Sequence, residues 1–270
     1  MTTRIAATMA RLRGEGRAGL VPFLSVGDPD LATSREALLA VAEAGADIIE
    51  LGVPFSDPIA DGPVIQESSQ RALRAGSSLP RVLEIVAWLR ARSDVPLVLF
   101  GYYNPFFRYG DQEFARDAKA AGADAVLSSD LPPEEAAELV AACRKYELDR
   151  IFLLAPTSDE ARMRAVAEVA SGFVYMVSVT GVTGARAAAP AAGIEQLVAR
   201  ARTATGLPIG VGFGISSAGQ AAAVARYADL VIVGSALVRR VFEAGPSGAV
   251  AAARGFVAEL RHAVDGVAKS

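Results

Sequence analysis

A single (β/α)8 (TIM) barrel with an extra N-terminal helix is the fold class this sequence predicts. Eight short apolar runs recur along the 270 residues, and helical stretches rich in Ala, Leu, Glu and Arg separate them. The runs are continuous rather than alternating, as expected of parallel strands covered on both faces. The length also suits such a barrel, which needs roughly 250 residues. Alternating strands and helices imply a parallel sheet, and eight such units close on themselves. An open doubly wound sheet is the competing architecture, but no G-x-G-x-x-G turn opens the first helix. No linker composition interrupts the rhythm, so residues 1–270 are expected to form one domain.

Taken in order, Met1–Arg13 reads as a short amphipathic helix. The strands are expected at Val21–Val26, Asp47–Leu51, Pro96–Gly101, Asp124–Ser128, Arg150–Leu154, Gly172–Val177, Pro208–Phe213 and Asp229–Gly234. Helices are expected at Leu31–Ala44, Leu79–Arg92, Asp111–Ala121 and Pro133–Tyr146. Further helices are expected at Ser158–Ala170, Ile194–Ala204, Ser217–Arg226 and Ala249–Val264. Ala-Gly-Ala-Asp recurs at Ala44–Asp47 and Ala121–Asp124, where glycine ends a helix and a strand begins. Pro133 and Ser158 suit helix starts. Two βα connections are long: Gly52–Gly62 after the second strand, and Ser178 to about Gly193 after the sixth. Both leave the C-terminal strand ends, where barrel chemistry is placed, and read as lids. A plain insertion is the lesser alternative for the second.

The bulk numbers exclude several classes. The chain is 52% apolar and 21% charged, so a large core is available and disorder is not expected. A net charge of -3 argues against nucleic acid or an anionic membrane as the main partner. No run approaches the roughly 18 apolar residues of a membrane span, and the N-terminus lacks a secretory pattern. Cys143 is the only cysteine, so no internal disulfide forms and a cytoplasmic location is expected.

Glu50 and Asp61 are the most informative pair. Glu50 closes a buried strand, where a carboxylate is costly unless paired, hydrogen-bonded or used. Burial raises its pKa toward the range where a carboxyl group both gives and takes a proton. Asp61 sits in the loop beyond, between residues that forbid helix. A capping Glu and a turn-forming Asp is the plainer alternative.

Absences narrow the chemistry further. The only histidine, His262, falls in the last helix and reads as a surface or packing residue. Zinc and similar metals therefore have almost no ligands, and a Ser-His-Asp triad is implausible. The lysines are Lys119, Lys145 and Lys269, none at a strand end, so a Schiff base has no candidate. Carboxylates, tyrosines, hydroxyls and glycine turns remain, a set suited to acid/base work.

The last two strands end in Gly212-Phe213-Gly214-Ile215-Ser216 and Val233-Gly234-Ser235-Ala236. Barrels often hold a phosphate there on backbone N–H groups at a helix N-terminus. Ser235 can add a hydroxyl donor, and Gly184 another N–H. Phe23, Phe100, Tyr102, Leu127, Leu153, Tyr175 and Phe213 could line a flat pocket, or they could be core packing.

Together these motifs resemble the tryptophan synthase α subunit family. Ile49–Gly62 fits its signature throughout. Supporting matches are Gly27-Asp28-Pro29, Gly101-Tyr102-Tyr103-Asn104-Pro105, Gly181-Val182-Thr183-Gly184, Gly212–Ser216 and Gly234-Ser235-Ala236. The resemblance implies retro-aldol cleavage of indole-3-glycerol phosphate to indole and glyceraldehyde 3-phosphate, without metal or Schiff base. It implies Glu50 as general acid/base and Asp61 as acceptor of the indole N–H. Thr183 would hydrogen-bond Asp61, and Tyr175 would position Glu50. Gly184, Phe213, Gly214, Gly234 and Ser235 would hold the phosphate. Phe23, Phe100, Tyr102, Leu127 and Phe213 would flank the indole. Departures are Ser25, where threonine is common, and Val179, where some members carry arginine. The resemblance also implies an αββα assembly, with loop Pro54–Asp57 and Asn104-Pro105 facing a β subunit. Pyridoxal phosphate is expected only in that partner, with no cofactor in this chain. A free-standing indole-3-glycerol-phosphate lyase and a non-catalytic regulatory barrel are the alternatives.

Overall fold

The structure is a computed structural model, and it describes residues 2–177, 191–212 and 214–267. Eight parallel strands close into a barrel in chain order. They are β1 (Gly19–Ser25), β2 (Ile49–Gly52), β3 (Leu97–Gly101), β4 (Ala125–Ser128), β5 (Asp149–Leu154), β6 (Val174–Val177), β7 (Ile209–Gly212) and β8 (Leu230–Val233), with β8 pairing back to β1. Each predicted strand is present, with its ends shifted by at most two residues.

Among the described residues the helices are α1 (Arg4–Gly14), α2 (Leu31–Glu43), α3 (Pro63–Arg74), α4 (Leu79–Arg90), α5 (Tyr103–Tyr109) and α6 (Asp111–Ala121). They continue with α7 (Ala137–Lys145), α8 (Glu160–Val169), α9 (Ala191–Thr205), α10 (Ala218–Ala225), α11 (Ser235–Glu243) and α12 (Gly245–Asp265). The helix expected over Pro133–Tyr146 is split. A 3₁₀ turn at Pro133–Glu135 precedes α7, which starts only at Ala137. Sequence periodicity also missed α3, α5 and α11. The face that α3 buries is Ser68, Ser69 and Ala72, which carries little apolar signal. The other two are only 7 and 9 residues long.

The recurrent Ala-Gly-Ala-Asp has a physical purpose. Gly45 and Gly122 take left-handed φ values of 99°, which close α2 and α6. The aspartate that follows serves the neighbouring strand rather than its own. Asp47 accepts from the Leu20 N–H at 3.0 Å, and Asp124 from the Leu97 N–H at 2.9 Å. Each is also gripped by arginines. Arg11, Arg17 and Arg261 approach Asp47 at 2.7, 3.1 and 2.6 Å, while Arg4 and Arg90 approach Asp124 at 3.0 and 2.7 Å. Burial alone would raise the Asp47 carboxyl, but hydrogen bonds from Arg17 and Arg11 outweigh it and hold it below the usual range.

The barrel has two apolar layers. Inside, Ile5, Met9 and Leu12 of α1 plug the floor against Val21, Ile48, Val98, Phe173 and Leu230. Outside, the strands' other faces pack on the helix ring. With floor and wall filled, open space is left at the C-terminal strand ends.

Candidate active site

One cavity of about 540 Å³ opens at those strand ends. Its wall includes Glu50, Asp61, Phe23, Phe100, Tyr102, Tyr175, Gly214, Gly234 and Ser235, so nine of the sequence-predicted residues share one space. Leu127 is not on that wall. It is fully buried in the inner layer, paired with Phe100 in the strand ladder. Thr183, Gly184 and Phe213 lie outside the described residues, as does most of the connection after β6.

Glu50 stands opposite Phe23 of β1 and Val98 of β3 in the strand ladder. It is 1% exposed, and its Oε1 has no hydrogen-bond partner. Burial with no compensating cation raises its carboxyl well above the usual carboxylate range. Such a group holds its proton to higher pH than an ordinary carboxyl and can donate it.

Asp61 ends the loop 53–62, just before α3 begins at Pro63. Pro58 and the Asp61 N–H form a tight turn at 3.1 Å, and Gln66 of α3 donates to the Asp61 carbonyl at 2.9 Å. The Tyr102 hydroxyl accepts from the Ala60 N–H at 2.9 Å, fixing the loop one residue earlier. Burial pushes the Asp61 carboxyl up to about 6, with the neighbouring Tyr102 hydroxyl pulling the other way. Tyr102 itself is raised by burial and by the Asp61 charge.

The rings form a continuous apolar wall between the carboxylates. Phe23 meets Phe100 edge-on at 5.5 Å, and Phe100 meets Tyr175 at 6.3 Å. Tyr102 meets Phe55 of the loop at 5.3 Å, the two rings tilted by 33°. Such edge-to-face wells accept a flat aromatic guest. Burial raises the Tyr175 phenol strongly, and the nearby Glu50 and Asp61 charges add to it.

Two glycines make the geometry possible. A Cβ on Gly52 would lie 2.5 Å from the Phe23 ring, and one on Gly212 would collide with the Tyr175 hydroxyl. At the other side, Gly234 precedes Ser235, the first residue of α11, so the cavity ends at a helix N-terminus that favours anions.

Ser25, Ile65, Ser69 and Arg239 also line the cavity, and sequence reasoning did not place them there. Ser25 had a signal: it follows Phe23 by two residues on one strand and therefore shares its face. The others sit on α3 and α11, the helices that periodicity missed. Cys143 is buried in α7 with its thiol pushed up to about 12, and His262 is exposed on α12. Among the described residues, no three His, Cys, Asp or Glu side chains gather to hold a metal.

Fold and site together define a (β/α)8 barrel with two buried carboxyl groups on an aromatic-walled cavity at its C-terminal strand ends. The family model described as tryptophan synthase alpha chain matches residues 9–265. Similar chains are the tryptophan synthase alpha chains of Geobacter sulfurreducens, 54% identical over 97% of this chain and 99% of that one, and of Burkholderia pseudomallei, 52% identical over 99% and 98%. Among solved structures, Mycobacterium tuberculosis tryptophan synthase matches with a TM-score of 0.90 at 40% identity, covering 98% of this chain and 99% of that one. Tryptophan synthase subunit alpha from Legionella pneumophila matches with a TM-score of 0.92 at 34% identity, covering 99% and 100%. The chain belongs to the tryptophan synthase alpha chain family, and it is a lyase that cleaves indole-3-glycerol phosphate.

Proposed function

We propose that the barrel, acting as one domain over 1–270, carries out this cleavage by carboxylate acid/base catalysis, with Glu50 and Asp61 in distinct roles. The observation that carries the reading is Glu50 itself, a buried carboxyl group whose Oε1 has no hydrogen-bond partner, on the wall of an aromatic-walled cavity. Protonated Glu50 gives its proton to the indole ring carbon that bears the side chain. Asp61 accepts the ring N–H and stabilises the positive charge that develops there. The Glu50 carboxylate then takes the proton of the side-chain hydroxyl on the adjoining carbon. The carbon–carbon bond breaks, its electron pair returns to the ring, and indole and an aldehyde leave. The ring is the electron sink, so this scheme uses no metal, Schiff base or cofactor of the chain's own.

The phosphate is assigned to Gly214, Gly234 and Ser235, with Gly184 and Phe213, and the indole to Phe23, Phe100, Tyr102 and Phe213. Tyr175 orients Glu50, and Thr183 is assigned as a hydrogen-bond partner of Asp61. Leu127, in the inner layer beside Phe100 in the ladder, is assigned to the same indole end.

A β subunit is the proposed partner, in an αββα assembly in the cytoplasm, and it alone would carry pyridoxal phosphate. The large exposed apolar residues support a partner at this mouth. Ile59, 88% exposed, is on the loop 53–62, and Phe107, 60% exposed, is on α5 beside Asn104-Pro105. Indole release by the purified chain, with and without a β subunit, tests the proposal. Strong activation by the β subunit is expected, and unchanged release would mark a free-standing lyase.

A further inference from the structure

We propose that Ser25 is a specificity residue of this site, hydrogen-bonding a hydroxyl of the substrate's three-carbon chain. The inference rests on the assignment of ring and phosphate just given. Ser25 is 3% exposed, its Oγ has no hydrogen-bond partner, and it lies on the cavity wall. Buried hydroxyls without partners are uncommon and costly, so an orphan aimed into a ligand cavity is expected to be satisfied by the ligand. Only one other buried side-chain oxygen on this wall lacks a partner among the described residues, Oε1 of Glu50, which the proton transfers already occupy.

Position explains which part of the ligand Ser25 meets. β1 lies between β2, which carries Glu50, and β8, which leads into Gly234. Phe23 bridges the two sides: it is the ladder partner of Glu50, and its ring atoms are within 3.8 Å of where a Gly234 Cβ would stand. Ser25 is two residues further toward the mouth on the same face, roughly 6.6 Å along the strand. A ligand with its ring beside Glu50 and its phosphate on Gly234 and Ser235 must lay its connecting chain across the end of β1. That chain carries hydroxyl groups. Gly52 keeps the space beside Ser25 open, since a Cβ there would come within 3.1 Å of the Ser25 Cα.

The test compares two ligands that differ only in those hydroxyls. Dissociation constants are measured for indole-3-glycerol phosphate in Glu50→Gln, and for 3-(indol-3-yl)propyl phosphate, which lacks them, in the same protein. Adding Ser25→Ala should weaken the hydroxylated ligand about tenfold and leave the other within about twofold. Ser25→Thr should restore the difference. Equal weakening of both ligands, or of neither, overturns the proposal. Indole release by Glu50→Gln would instead sink the acid/base assignment, and the Ser25 contrast would then be read from kcat/KM for indole-3-glycerol phosphate against the inhibition constant of 3-(indol-3-yl)propyl phosphate. Folding is not at risk, because Ser25→Ala removes an orphan hydroxyl and should leave the melting temperature unchanged or higher.

Discussion

The Tyr175 hydroxyl rests directly over Gly212 of the adjoining strand, in the space where any other residue would carry its Cβ. The phenol therefore reaches inward past β7 toward Glu50, whose charge it feels. Gly212→Ala should push Tyr175 off this position. Loss of about 1–3 kcal/mol of stability is expected from overpacking, with a fall in kcat larger than any change in KM. Thermal melting and steady-state kinetics check both. Unchanged kinetics would mean that Tyr175 does not orient the acid.

Glu50→Gln keeps the shape of the buried side chain and removes its proton chemistry. Turnover should fall by about 10²–10⁴-fold, the range of a single general acid/base, while phosphate-ligand affinity changes little. Indole release and calorimetric titration measure the two. Activity like that of the parent chain would end the role given to Glu50.

Asp61 must be ionised to accept the ring N–H, and its carboxyl is pushed up to about 6. The kcat/KM profile should fall on the acid side with a limb near that value. Asp61→Asn should lose the limb together with about 10²–10³ in rate.

The same group makes a stability prediction. Its folded pKa lies above the ordinary 3.8, so the native state holds the proton longer than the unfolded chain. Stability of the free enzyme is thus lost as pH rises from 3.8 to about 6, by at most about 3 kcal/mol. Asp61→Asn should raise the melting temperature at about pH 8 and leave it unchanged at about pH 3. A shift of equal size at both would refute the link.

Ile59→Asp and Phe107→Asp place charges on the exposed apolar residues of the mouth. Each should weaken β-subunit binding by about 1–2 kcal/mol without altering the basal rate of the isolated chain. Titrating β subunit against indole release reads both quantities.

Much of this was visible in the residues. Continuous apolar runs located every strand, because parallel strands buried on both faces show no polar side. Glu50 stood out because an acid at the end of such a run has no structural excuse. Leu127 shows where the reading stops. It pairs with Phe100 in the ladder, yet Phe100 lines the cavity and Leu127 does not. Alternation says which face a side chain takes, but not how its height along the barrel axis compares with the ligand's. Helix α3 was missed for a different reason: its buried face is small and hydroxylated, so periodicity in apolar character had nothing to register.

One carboxylate in the barrel floor has a consequence for how the whole chain comes apart. Asp47 is held at once by Arg11 of α1 and Arg261 of α12, segments joined through every strand of the barrel. Neither can peel away without taking one of its three arginines from a buried carboxylate. Amide exchange in the two helices should therefore report a single shared opening, so that the molecule behaves like a belt fastened by its buckle rather than a rope fraying from both ends.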